Sequence, residues 1–395
     1  MINNKSLFKT IQIILLIFFV SLGTIGGCGN NNSNNEDDDP GLGNPGETSS
    51  CINPSEACKQ VTEHENRVSC TLSDDTCGVD LKDVLSEVIS KTSNNFTNDT
   101  VIWIEAWGGK GGRSQIFPGE FNEGGKEGYA QTTTSIDDFE MNLGTTQIYY
   151  YLGEDGDEGS KDANTCVNGS PASGGASTIL TLDDLTLNPD INPSGEDIIL
   201  LAGGGGGAAG CSGGGKSCDG VSVSGGEGGI AIADQSKDAV GASPKGKYTA
   251  GGGDLGKGGK EFCIYCDNGK GEDGKDEFGG IGGKGGKGRG NATTGNCPAV
   301  ERSFWKNTGN LKLEFSNGEG GEGGTFEMGA GGGGGGGGWG GGGGGGSTDS
   351  FLSAVWGGGG GSFALQSTQV SVNAPDKLPD NPCDKDGCVQ INFEF

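Results

Sequence analysis

The sequence predicts a mainly β protein, a β-sandwich or jelly-roll-like body with inserted polyglycine II helices, plus one short N-terminal α-helix. Three observations predict it. Short β-like runs, several of them alternating, recur from residue 100 to the C-terminus. The glycine tracts between them repeat with a period of three. One stretch ahead of both carries apolar residues at helical spacing.

The helix is the simplest element. Leu81, Val84, Leu85, Val88 and Ile89 fall at i, i+3, i+4, i+7 and i+8, with Asp80 placed to cap and Asp83 in the first turn. Strands are expected at 101–107, 129–134, 147–152, 178–182, 197–202, 311–315, 363–373 and 389–395. Residues 311–315 and 389–393 alternate apolar and polar side chains, the pattern of a strand with one buried face. Many short strands separated by turn signals suggest a sandwich or jelly roll.

Glycine is the compositional anomaly, with 86 Gly and 12 Pro among 395 residues. Residues 108–113 read GGKGGR, 225–230 GGEGGI, 279–290 GGIGGKGGKGRG and 320–325 GGEGGT. Three residues per turn is the pitch of the polyproline II helix, in which every third side chain points the same way. With glycine at two positions in three, such helices can pack backbone to backbone and satisfy their peptide groups on neighbours, leaving Lys, Arg or Glu outward. Collagen is excluded by the scarcity of proline. Flexible linkers are the competing reading, to which the runs 331–338 and 340–346 are open. Against it, apolar residues 198–202 run directly into 203–207, and cysteines sit inside the tracts.

The N-terminus is laid out for export. Lys5 and Lys9 precede the apolar run 11–20, which is followed by small residues and Cys28. The run is too short to span a bilayer comfortably, against the alternative of a simple membrane anchor. Ile25-Gly26-Gly27-Cys28 resembles a lipobox, which implies cleavage before Cys28 and lipid, palmitate included, on its thiol. The organisation expected is a signal peptide at 1–27, a disordered tether at 28–50, a small cysteine-rich segment with the helix at 51–99, and a glycine-rich β domain at 100–395. The acidic run 36–39 in the tether is weakly similar to surface-export signals of some bacterial lipoproteins.

Thirteen cysteines are present, and giving Cys28 to lipid leaves twelve, an even number suited to disulfides in an oxidising compartment. Short loops suggest Cys211 with Cys218 and Cys383 with Cys388. The formal charge is −27, and loss of the leader's two lysines makes it −29, which argues against nucleic acid as a partner.

The order of elements resembles a known family. VIWIEAWGGKGG (101–112) leads to GGKEGYAQTT (124–133), QIYYYLGEDGDEG (147–159), SGGASTIL (173–180) and IILLAGGGGG (198–207). This succession resembles the glycine-rich region of the anaplastic lymphoma kinase and leukocyte receptor tyrosine kinase ectodomains, and related microbial glycine-rich proteins. The resemblance implies a β-sandwich with polyglycine II helices between strands. It covers about residues 100–365 and leaves 51–99 unexplained. The tracts around Trp339 and Trp356 are also similar in texture to glycine-rich adhesins of phage tail-fibre tips.

No catalytic constellation stands out. His64 is the single histidine, which cannot make a multi-histidine metal site. Cys263 and Cys266 have C-x-x-C spacing without a second pair, so a structural disulfide is the better reading. Asp155-Gly156-Asp157 and the turn Asp384, Lys385, Asp386, Gly387 are similar to calcium loops but do not complete the pattern, and are read as solvated acidic turns. No metal or cofactor is expected. Trp339, Phe351 and Trp356 lie in or beside glycine tracts, where they serve either as ligand-binding anchors at loop tips or as core. The reading that follows is a non-enzymatic, lipid-anchored protein of the cell envelope, on the outer membrane and exposed at the surface, acting as an adhesin or binding module for a surface glycan or protein. A structural envelope or matrix lipoprotein is the alternative, with ice binding a distant third.

Overall fold

The structure, a computed structural model, describes residues 57–117, 120–159, 171–187, 197–210, 225–232, 238–239, 301, 303–308, 333–339, 341–342, 344, 357–365 and 380–394. In chain order they form β1 (Cys58–Glu63), β2 (Arg67–Leu72), β3 (Gly78–Asp80), α1 (Leu81–Lys91), β4 (Ile102–Trp107), β5 (Ser114–Phe117) and β6 (Glu120–Asn122). Next come β7 (Tyr129–Thr134), α2 (Ile136–Leu143), β8 (Gln147–Tyr151), β9 (Thr178–Thr181) and β10 (Ile198–Ala202). The last are β11 (Ile230–Ile232), β12 (Asp238–Ala239), β13 (Ser362–Ala364) and β14 (Cys388–Glu394). The protein is mainly β, as expected. One sheet has the order β1-β2-β14-β4-β7-β11, a second β12-β13-β10-β9-β8-β3, and β5 and β6 make a separate hairpin.

Alternation sets the core. In the first sheet Val68 and Cys70, Ile102 and Ile104, and Val389, Ile391 and Phe393 join one buried cluster. They meet Ile148, Tyr150, Leu180 and Leu200 of the second sheet in it. Each large aliphatic side chain buried this way stabilises by about 1.5–3 kcal/mol. Helix α1 covers the same cluster with Leu81, Val84, Leu85 and Val88. Its start follows the sequence reading, since Asp80 caps by accepting from the Lys82 amide at 2.8 Å.

Two findings depart from the sequence reading. A second helix, α2, occupies 136–143 where no helix was expected. It is only eight residues long, too short for periodicity to stand out, and its caps hold it. Ser135 Oγ accepts from the Asp138 amide at 3.1 Å, and Gly144, left-handed at φ 75°, donates to Glu140 O at 2.8 Å. The other departure concerns 57–91, where weak periodicity conceals β1, β2 and β3. β2 pairs with the C-terminal β14, which in turn pairs with β4, so this cysteine-rich stretch supplies strands to the same sheets as the glycine-rich part. Cys58–Cys70 staples β1 to β2, Cys77 is disulfide-bonded as well, and Glu87 of α1 accepts from the Ala57 amide at 2.9 Å.

Strands β4, β8 and β10 run on into glycine-rich tracts, and further tracts lead into β7, β9, β11 and β13. Tract 203–208 shows how they pack. Gly204 and Gly207 donate to Gly337 and Gly334 at 2.7 Å, while Gly205 and Ala208 donate to Gly109 and Gly112 at 2.9 Å. Gly206 donates to Gly226 at 2.9 Å. On the acceptor side, Gly203 and Gly206 receive Gly128 and Gly125, Gly204 and Gly207 receive Gly360 and Gly357, and Gly205 and Ala208 receive Gly175 and Ala172. Residues three apart thus return to the same neighbour, with three tracts accepting from its N–H groups and three donating to its C=O groups, while the Gly203 amide donates to Ser362 Oγ. A β-strand has two such neighbours; this tract has six.

Space explains the glycine. A Cβ on Gly204 would overlap the Gly175 carbonyl, and one on Gly206 the Gly357 carbonyl. Left-handed backbone does not explain it, because among the described glycines only Gly144 has a positive φ. Larger side chains appear outward at the third positions. Lys110 and Arg113 lie beside Asp155 and Glu158 on a parallel tract, with Arg113 Nε 2.6 Å from Glu158 Oε1.

Gly206→Ala is expected to destabilise the protein by about 1–3 kcal/mol or more through overpacking. Glu227→Ala, at an exposed position of a neighbouring tract, is expected to stay within about 0.5 kcal/mol of the parent. Denaturant melts of the two variants beside the parent check the contrast.

Candidate functional site

Of the three aromatic residues singled out, Trp339 is described, while Phe351 and Trp356 lie outside the described residues, as do Cys28, Cys211, Cys218, Cys263 and Cys266. Trp339 ends the tract 333–339 that hydrogen-bonds to 203–208. Its amide donates to Gly361 O at 2.9 Å, and its indole stacks on Phe363 of β13 at 4.1 Å and 10°. Phe363 is 3% exposed, whereas Trp339 remains half-buried. One face of the indole packs on the sheet while the side chain keeps contact with solvent.

The sheet beneath carries a row of apolar side chains. Leu201 is paired with Phe363 on one side and Ile179 on the other, and Ile179 is paired with Tyr151. Trp305 leans on Tyr151 at 5.5 Å and donates its Nε1–H to Ser177 O at 2.9 Å. The Tyr151 hydroxyl accepts from the Leu185 amide at 2.7 Å and donates to Asp184 Oδ1 at 3.3 Å. Leu185 at 1% and Trp305 at 8% exposure belong to the cluster that closes this floor. What stays accessible is the rim, where half-buried Tyr149 and Trp339 join the cluster and Asp183 and Asp184 lie near Tyr149.

Burial, and then the Asp184 and Asp183 carboxylates, push the Tyr149 hydroxyl up. The Asp183 carboxyl is also raised, by burial first and then by Asp197. The accessible groups are the Trp339 indole at the β13 end and, three strands away at the β8 end, the Tyr149 hydroxyl with the Asp183 and Asp184 carboxylates, a chemistry for stacking and hydrogen-bonding a polar ligand. Tyr149, Asp183 and Asp184 were not anticipated as site residues. The alternation of Tyr149 and Tyr151 in β8 was the one signal that they share a sheet face.

The two acidic turns, 229 residues apart from Asp155 to Asp384, are brought together. The Asp155 amide donates to Asp386 Oδ1 at 3.2 Å, and Gly387 donates to Gly153 O at 2.5 Å. Asp157, Asp384 and Lys385 are exposed, as read from the sequence, whereas Asp155 and Asp386 are half-buried, a partial correction that follows from the glycine tract delivering one turn against the other. The expected Cys383–Cys388 disulfide closes the second turn. Among the described residues no group of three or more metal-ligating side chains is placed to hold an ion. His64 is exposed in the β1–β2 turn, its amide donating to Arg67 O at 2.8 Å. No protein-family model and no curated protein matches the chain.

Tyr151→Phe leaves the Leu185 amide buried without its acceptor, at an expected cost of about 1–3 kcal/mol. Thermal melting measures the loss, and faster hydrogen exchange at Leu185 than in β4 places it at the floor of the site.

Proposed function

We propose that the chain is a non-enzymatic surface binding module, lipid-anchored through Cys28, that recognises a surface glycan or protein. In this reading the glycine tracts are polyglycine II helices, and their layer is a stiff scaffold for the Trp339 rim. The observation that carries it is the half-buried indole of Trp339, fixed by a backbone hydrogen bond and a stacked ring yet still open to solvent. Aromatic groups held in place lose little conformational entropy on binding, and such groups dominate recognition energetics. The acidic rim and the charge of −27 favour a neutral or cationic partner over an anionic one.

The test is binding of the purified chain to a glycan array and to intact cells. Trp339→Ala and Tyr149→Ala, assayed below their own melting temperatures, are each expected to weaken binding by about ten-fold or more, equal to about 1.4 kcal/mol. Unchanged binding removes the site assignment. Absence of binding to any surface favours the structural envelope reading, which the closed floor under Leu185 and Trp305 also supports. The anchor is tested separately. Cys28→Ser is expected to abolish incorporation of labelled fatty acid and to release the chain from the membrane fraction, since stable anchoring of such a chain needs acyl groups.

A further inference from the structure

Strand β1 ends the first sheet and pairs with β2 alone, so among the described residues no strand lies along its other edge. The hairpin fixes which peptide groups that edge presents. His64 N donates to Arg67 O at 2.8 Å, which makes 64 and 67 a hydrogen-bonded pair, and bonded pairs recur at every second residue of an antiparallel ladder. Gln60 and Thr62 therefore turn their main-chain groups to Thr71 and Ser69 of β2, while Val61 and Glu63 turn theirs outward. Lys59, Gln60 and Glu63 are exposed, and Val61 and Thr62 are half-buried, so solvent reaches this edge. It is also held in place, because Cys58–Cys70 staples β1 to β2 and Val61 packs against the core cluster. A fixed row of outward N–H and C=O groups is a template for a further strand.

We propose that β1 is a self-association edge, pairing antiparallel about Val61 with β1 of a second copy of this chain, so that one sheet runs through both copies. The Val61 N–H of each copy donates to the Val61 carbonyl of the other. Read backwards, the strand carries the opposite charge at each end, and this complementarity selects the occupant. With Val61 opposite Val61, Lys59 of each copy meets Glu63 of the other, and Gln60 meets Thr62. Opposite charges at both ends and two β-branched apolar side chains at the centre are combinations that favour cross-strand pairing. Sliding the pairing to centre on Glu63 would set two glutamates against each other. Lys59 is able to turn to this contact. Its Nζ lies 3.0 Å from Asp74 Oδ2, an oxygen that Lys306 also holds at 3.1 Å, so Asp74 keeps a cation when Lys59 moves. The register shift between Cys58 and Gln60 confines regular pairing to residues 60–63, and Lys59 reaches across with its long side chain. So short a contact falls below the area of a stable interface, so the association is weak and transient.

Sedimentation equilibrium of the full chain, with detergent micelles in excess over protein, tests the edge. At about 0.15 M salt, where screening over about 8 Å mutes the overall negative charge but not charges in contact, a monomer–dimer equilibrium is expected between about 10 μM and 1 mM. Lys59→Glu and Glu63→Lys, each placing like charges across the pair, are expected to weaken association by about ten-fold or more. An equimolar mixture of the two variants is expected to associate as the parent does, because each then meets the charge it lacks. Hydrogen exchange reads the same contact in the parent without any substitution. As concentration rises, protection is expected to increase at the Val61 amide and to stay constant at Gln60 and Thr62, which already bond to β2. A chain that stays monomeric to about 1 mM overturns the proposal. So does a dimer that tolerates both charge reversals, a mixture that fails to restore it, or exchange at Val61 that ignores concentration.

Discussion

A peptide N–H or C=O removed from water must find a partner or cost several times what a satisfied bond contributes. In a layer built of glycine few side chains can supply that partner, Ser362 Oγ for the Gly203 amide being one, so the main chains largely serve one another. Tract 203–208 does this by turning through three residues, so that its donors and its acceptors each point in three directions. Any Cβ in the shared spaces strikes a neighbouring carbonyl, as at Gly204 and Gly206. The amino-acid composition of the chain is the consequence of that requirement.

The glycine layer cannot stand alone. Ordering a residue costs about 1–2 kcal/mol of backbone entropy, more for glycine, while a net hydrogen bond returns about 0.5–1.5 kcal/mol. The deficit is offset by the sandwich, where apolar strands of both sheets close on one cluster. Strand and tract are continuous in sequence, so the register of the sheets sets the register of the tracts. β10 passes from Ala202, paired with Thr178, straight to Gly203, whose carbonyl accepts from Gly128. The C-terminal β14 lies between β2 and β4, and that pairing draws the cysteine-rich beginning of the described chain into the same body.

Elements whose signal is local were legible in the sequence. Asp80 and the apolar stripe of α1 marked that helix, and six of the eight expected strands match β4, β7, β8, β9, β10 and β14 closely; β13 takes up only the start of 363–373, while 366–373 and 311–315 fall outside the described residues. Where the signal was short or depended on a distant partner it was missed. α2 was written in Ser135, Asp138 and Gly144 but spans barely two turns. β1 and β2 draw their order from β14, more than three hundred residues away, as Asn392 receiving Ser69 Oγ illustrates. The same holds for the site. Trp339 was identifiable as an aromatic in a glycine tract, but that it would stack on Phe363, and that Tyr149 and Asp184 would border the same sheet face, depends on strand register.

The period of three also divides labour between backbone and side chain. Two positions are spent on packing, and the third is free to vary without disturbing the layer, which is why Lys110, Arg113, Asp155 and Glu158 can sit beside buried glycines. An exposed ion pair such as Arg113–Glu158 contributes about 0–1 kcal/mol, so it adds little to stability and leaves the outer chemistry open to change. Trp339 differs from them. It stands where a tract meets a strand, and it is held by a main-chain hydrogen bond and a ring from each of the two layers' shared boundary. A side chain placed there inherits the rigidity of the glycine layer and the apolar footing of the sheet. That combination suits a fixed contact surface better than a flexible loop would, because little order remains to be lost when something binds.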